Sequence, residues 1–122
     1  VGIEDIKRKV LVTGGGGFIG SRLVRALLQK RLAVKVLDIR YGLLKGESNA
    51  NLELIGIGSD ELRGGMAEKS VVDQAVKDVD VIYHLAVNWN AGTWACVHSL
   101  ADLFNVNIRA HLIFSRRPRL TV

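Results

Sequence analysis

Thr13-Gly14-Gly15-Gly16-Gly17-Phe18-Ile19-Gly20 is the stretch of this chain best suited to chemistry. Gly15, Gly17 and Gly20 satisfy G-x-G-x-x-G between an apolar run and an amphipathic one. Such a turn suits a nucleotide pyrophosphate, whose negative charges cannot be approached closely past a Cβ atom. Gly14 permits a tight turn, Gly17 lets the backbone come near the phosphates, and Gly20 lets the helix pack closely on the strand. The N–H groups of Phe18 and Ile19, at the helix start, then bind phosphate oxygen with help from the helix dipole. Asp38, at the end of the next apolar run, stands where an acid accepts hydrogen bonds from the adenosine ribose hydroxyls, with Ile39 and Arg40 following it. Its charge repels a 2′-phosphate and favours NAD over NADP. The Arg40 guanidinium, two residues on, would act in the opposite sense.

Other chemistries fit less well. A Walker A loop needs G-K-[ST], and here Gly20 is followed by Ser21-Arg22. A methyltransferase also uses a glycine loop and an acid after its second strand, but it needs no four-glycine turn. His98 and His111 form no metal or nucleophile constellation with Cys96, so no metal site is expected. Tyr41-Gly42-Leu43-Leu44-Lys45 has the spacing of a Tyr-x-x-x-Lys pair. It follows the second strand, at the adenosine end, and Gly42 weakens any helix that would align the two side chains. No catalytic residue is therefore assigned.

The elements that must position these groups alternate in type. Lys9 to Thr13 reads as a buried parallel strand, short, β-branched and ended by glycine. Phe18 to about Lys30 reads as a helix, with Ile19, Leu23, Ala26, Leu27 and Lys30 at helical spacing. Ala33 to Asp38 is a second strand and Leu52 to Ile57 a third, joined by a polar loop with room for a helical turn. Glu68 to Lys77 suits a short helix, Asp80 to Ala86 a fourth strand, Thr93 to about Phe114 a long helix, and Leu120 to Val122 the start of a fifth strand. Strands alternating with helices imply an α/β domain with a parallel sheet covered on both faces. The expected strand order is 3-2-1-4, with the nucleotide over the carboxyl ends where the order reverses.

Length and composition are consistent with this. The 122 residues make one domain of ordinary apolar content, 48%. No apolar run reaches the roughly 18–20 residues of a membrane span, and the N-terminus has no apolar signal core. The single cysteine, Cys96, allows no internal disulfide and favours a cytoplasmic setting. The net charge of +5 is scattered and lacks aromatic interleaving, which argues against nucleic acid as partner.

Val10-Leu11-Val12-Thr13-Gly14-Gly15-Gly16-Gly17-Phe18-Ile19-Gly20-Ser21 resembles the opening of the extended short-chain dehydrogenases/reductases, among them the NAD-dependent epimerase/dehydratase family. Its T-G-x-x-G-x-x-G is met by Thr13, Gly14, Gly17 and Gly20. Val79 to Val87 resembles the family's V-D-x-V-x-H-L-A-A, and Asn105-Val106 its later asparagine-valine, although Ile108 and Arg109 replace the glycine and threonine that follow. The resemblance implies a Rossmann-type doubly wound fold over residues 1–122, with Leu85 and Ala86 lining the cofactor and His84 shaping the strand end. It implies NAD chemistry on a substrate such as a nucleotide sugar, by epimerase, dehydratase or reductase action. The family's Tyr-x-x-x-Lys lies on the helix after strand five, and its substrate domain lies further on. The chain thus reads as an N-terminal portion that binds cofactor without turnover. The alternative is a non-catalytic NAD(P) sensor or interaction module. A fourth strand left at the sheet edge would invite homodimerisation.

Overall fold

In the computed structural model, residues 8–56, 69–86 and 120–121 are described. The elements are β1 (Lys9–Thr13), α1 (Phe18–Gln29), β2 (Ala33–Leu37), a 3-10 turn (Gly42–Leu44), β3 (Leu52–Ile55), α2 (Lys69–Val76), β4 (Val81–His84) and β5 (Leu120–Thr121). The sheet is parallel, in the order β3-β2-β1-β4-β5. The expected 3-2-1-4 arrangement is present, with β5 added outside β4.

β5 corrects one expectation. Val81 pairs with Leu120 and Ile82 with Thr121, so the β4 edge expected to stand open is paired at those positions. The argument for dimerisation through that edge loses its premise there. The long helix expected from Thr93, together with Cys96, His98, Asn105, Ile108, Arg109 and His111, lies outside the described residues.

Strand alternation separates two cores. Val10, Val12, Val34, Val36 and Leu44 pack with Val24, Leu27 and Leu28 of α1. Leu11, Leu37, Ile55 and Ile82 pack with Val72 and Ala75 of α2 on the opposite face. Burying each such side chain contributes about 1.5–3 kcal/mol. Lys35 is buried too. It stands in β2 between Val34 and Val36, so its side chain leaves the opposite face, toward α2. Its Nζ donates to the carbonyl oxygens of Gln74 (3.1 Å) and Lys77 (3.0 Å), at the C-terminal end of α2. Burial lowers the Lys35 pKa below its usual 10.5, opposed first by the nearby Glu53 carboxylate.

The buried stripe of α1 differs from the one its periodicity suggests. Gly20, Ser21, Val24, Leu27 and Leu28 are buried, whereas Ile19 is 68% exposed. Gly20 decides the rotation. A Cβ there would lie 2.2 Å from the Gly14 carbonyl oxygen, so the helix meets the turn on its glycine side.

Candidate dinucleotide site

Three strand ends meet at the glycine turn. Thr13 is level with Leu37 on one side and His84 on the other. β1 and β4 flank the point where the strand order reverses, and α1 and α2 cover opposite faces. A crevice outside the carboxyl ends of the strands belongs at such a point.

The turn is shaped by contacts that exclude side chains. Gly14 has φ +72°, and a Cβ there would lie 2.9 Å from the backbone of Ala86. Leu85 and Ala86 are held against it by Thr13, which is fully buried. The Thr13 carbonyl accepts from Leu85 N (3.1 Å), and its Oγ1 accepts from Ala86 N (3.1 Å). The same Oγ1 lies 2.7 Å from His84 Nδ1. Thr13 Oγ1 and His84 Nδ1 are hydrogen-bond partners, with the donor set by the imidazole tautomer. His84 is thus a strand-end residue that orients Thr13. The hydroxyl of Thr13 is the feature that motif reading left out, since the motif marks only its position.

The Asp38 carboxylate accepts three backbone hydrogen bonds, from Gly16 N (3.0 Å), Ile39 N (2.7 Å) and Arg40 N (3.2 Å). An ionised carboxylate has about four lone-pair sites, so one remains for a ribose hydroxyl. Asp38 does more than end a strand, because Oδ2 braces the glycine turn through Gly16. Ile39 is half-buried and packs toward the α2-side core. The Arg40 side chain is exposed. Gly16 and Gly42 are structural residues that the glycine motif does not single out. A Cβ on Gly16 would meet the Arg40 and Tyr41 carbonyl oxygens, and one on Gly42, at φ +53°, would meet Gly16 O at 2.2 Å. Tyr41 is exposed beside a 3-10 turn, whose geometry does not align positions four apart.

Gly17 is the exception among the turn glycines. It is the N-cap of α1 at φ −77°, ψ 179°, with no side-chain cap and no acid in the first turn. A Cβ on Gly17 would meet only Gly14 O, at 3.3 Å. Gly17 is thus the least obstructed of Gly14, Gly15, Gly16, Gly17 and Gly20, although a Cβ there would still press on the Gly14 carbonyl. The N–H groups of Phe18, Ile19 and Gly20 have no hydrogen-bond partner among the described residues. A helix N-terminus left in this state carries roughly half a positive charge. These residues fit a pyrophosphate: free donors, a positive dipole end, no competing acid and a cradle that one Cβ would fill.

Residues 11–111 match the 3-beta hydroxysteroid dehydrogenase/isomerase family. The chain belongs to that family. The hydroxysteroid dehydrogenase/isomerase match and the relatives place it among the extended short-chain dehydrogenases/reductases, as the glycine motif implied. It is 33% identical, over 93% of its length, to the 2-alkyl-3-oxoalkanoate reductase of Stenotrophomonas maltophilia, of which it covers 34%. It is 35% identical, over 66% of its length, to the UDP-N-acetyl-alpha-D-glucosaminuronate decarboxylase of Bacillus cytotoxicus, of which it covers 24%. Among solved structures, the UDP-glucose 4-epimerase of Thermus thermophilus in complex with NAD superposes with a TM-score of 0.61 at 29% identity, covering 85% of this chain and 31% of the other. The chain thus spans about a third or less of the length of these relatives.

Proposed function

We propose that this chain is the NAD-binding portion of an extended short-chain dehydrogenase/reductase. The observation that carries the reading is the open N-terminus of α1 at Gly17, set beside an anchored Asp38. The N–H groups of Phe18 and Ile19 hold the pyrophosphate. Gly14 and Gly20 keep the turn in the shape that presents those donors. The remaining lone pair of Asp38 takes a ribose hydroxyl, and its charge disfavours a 2′-phosphate. Leu85 and Ala86, positioned by Thr13, line the crevice on the β4 side. When bound, the nicotinamide ring supplies a hydride acceptor or donor.

Calorimetric titration with NAD and NADP tests this. NAD is expected to bind and NADP to bind more weakly. A clear NADP preference overturns the assignment to NAD, and binding of neither overturns the dinucleotide reading.

For the whole protein, epimerase, dehydratase or reductase action on a nucleotide sugar is the reading that the decarboxylase and epimerase relatives support. The reductase relative and the hydroxysteroid family match make a carbonyl compound or a steroid the competing substrate class. Within the 122 residues, Tyr41 and Lys45 are the one pair with the catalytic spacing, and their placement does not serve. Hydride transfer with sugar nucleotides is therefore expected to be absent from the purified chain, and NADH production would refute that.

A further inference from the structure

The segment after β2 is tied to α1 by a circuit that the glycine motif does not contain. Arg25 lies two turns into α1. Its Nε donates to Glu47 Oε2 at 3.3 Å, and its Nη2 donates to the Leu43 carbonyl. Leu43 N in turn donates to Gly16 O at 2.9 Å. Gly42 rests on that same carbonyl, with no space for a Cβ. Gly16 N donates to Asp38 Oδ2. Leu44, at the end of the 3-10 turn, is buried in the α1-side core with Val24.

The circuit runs from Arg25 to Leu43, to Gly16, to Asp38, and it fixes the middle of the glycine turn from outside. Among the described residues, Gly16 makes no other hydrogen bond to an element beyond its own turn. The position of its peptide therefore rests on Asp38 at its N–H and on the strapped 3-10 turn at its carbonyl. If the strap opens, Leu44 stays packed against α1 but the Leu43 peptide loses its tie, and the Asp38 carboxylate shares a less restrained partner.

We infer that Arg25 and Glu47 form a strap that pre-positions the glycine turn and Asp38 for the adenosine half of a dinucleotide. This rests on the NAD-binding reading and deepens it. Arg25 is a positioning residue that touches no cofactor atom. It contributes affinity by reducing the ordering that binding would otherwise demand.

A second explanation of any Arg25 effect is simple charge, because a guanidinium near an anionic cofactor attracts it. The two explanations differ in sign at Glu47. A charge effect predicts that Glu47→Ala, which removes a negative charge, leaves NAD affinity unchanged or tightens it. The strap predicts that Glu47→Ala weakens it, as Arg25→Gln does.

The experiment titrates NAD and ADP-ribose into the wild-type chain, Arg25→Gln, Arg25→Lys and Glu47→Ala, and follows amide hydrogen exchange of Leu43. The expected result is an affinity loss of about fivefold for Arg25→Gln, which removes an exposed ion pair and a carbonyl hydrogen bond, and about twofold for Glu47→Ala, which removes the ion pair alone. The loss is equal for NAD and ADP-ribose, because the strap acts on the adenosine half. Leu43 exchange accelerates while β1 and β2 amides keep their protection, and Arg25→Lys recovers part of the affinity. Wild-type binding with Glu47→Ala equal to or tighter than wild type overturns the strap alone. Leu43 exchange that accelerates without any affinity loss also overturns it. A wild-type chain that binds neither ligand overturns the dinucleotide reading and the strap with it.

Discussion

The two ends of α1 are built on opposite terms. At its C-terminus the chain satisfies its own carbonyls. Arg31 N donates to Leu28 O and Leu32 N to Leu27 O, a Schellman closure that places Arg31 at φ 60°. A non-glycine residue accepts left-handed backbone there so that the end is closed. At the N-terminus Gly17 offers no cap, although its backbone has the extended geometry of an N-cap residue. One helix thus closes one end at a conformational cost and leaves the other without a side-chain cap. That open end is the feature the NAD-binding proposal puts to use.

The comparison breaks most severely at Gly20. Gly20→Ala puts a Cβ 2.2 Å from a backbone oxygen, with no flexible group to give way. A stability loss of about 3 kcal/mol or more is expected, read by thermal denaturation; a loss under about 1 kcal/mol means the turn relaxes easily and Gly20 does not set the helix rotation.

Gly17→Asp separates binding from folding. The carboxylate caps α1 and adds about 0.3 kcal/mol of stability, because glycine is already a tolerated cap and the new Cβ meets Gly14 O at 3.3 Å. It also occupies the donors and repels phosphate, so NAD affinity is expected to fall at least about a hundredfold. A variant that binds NAD as well as wild type would show that the pyrophosphate lies elsewhere.

Arg31→Gly sharpens the other end. Relief of the left-handed strain is expected to stabilise by about 1 kcal/mol, with NAD affinity unchanged. A destabilised variant would mean that the arginine side chain contributes more than the strain costs.

The smallest effect concerns the C-terminal end of α2, which is closed by Lys35. Because folding lowers the Lys35 pKa, the unfolded chain binds more protons in the window below 10.5. Stability therefore rises with pH through that window. Relative to Lys35→Met, the wild type gains stability between neutral pH and pH 10.5, measured by urea denaturation at each pH. A difference independent of pH would place the ammonium in water.

Much of this was legible in advance. β1 was read at its observed bounds, and α1 to within a residue, because a β-branched run, a glycine turn and a change of period mark both. β3 ends two residues earlier than its apolar run suggests, where Gly56 takes φ +82°. The helical turn allowed after β2 is present as Gly42–Leu44. Its packing on Gly16 was not legible, since partners so far apart in sequence leave no local pattern. The buried face of α1 departs from its hydrophobic periodicity for a similar reason. Hydrophobicity weighs Ile19 above Gly20, while the contact that orients the helix depends on the absence of a side chain. Lys35 gave no signal either, because its acceptors are carbonyls of a helix roughly 40 residues away.

The Thr13–His84 contact joins residues 71 apart in sequence, while Lys9 meets Ala33 after 24. Loop-closure entropy makes the longer connection about 1 kcal/mol costlier. A folding chain therefore meets β2 first, completing the glycine turn, Asp38 and the 3-10 turn as one local unit. The Leu85–Ala86 wall arrives with β4 afterwards. The β2 side of the crevice thus rests on a short chain closure and the β4 side on a long one.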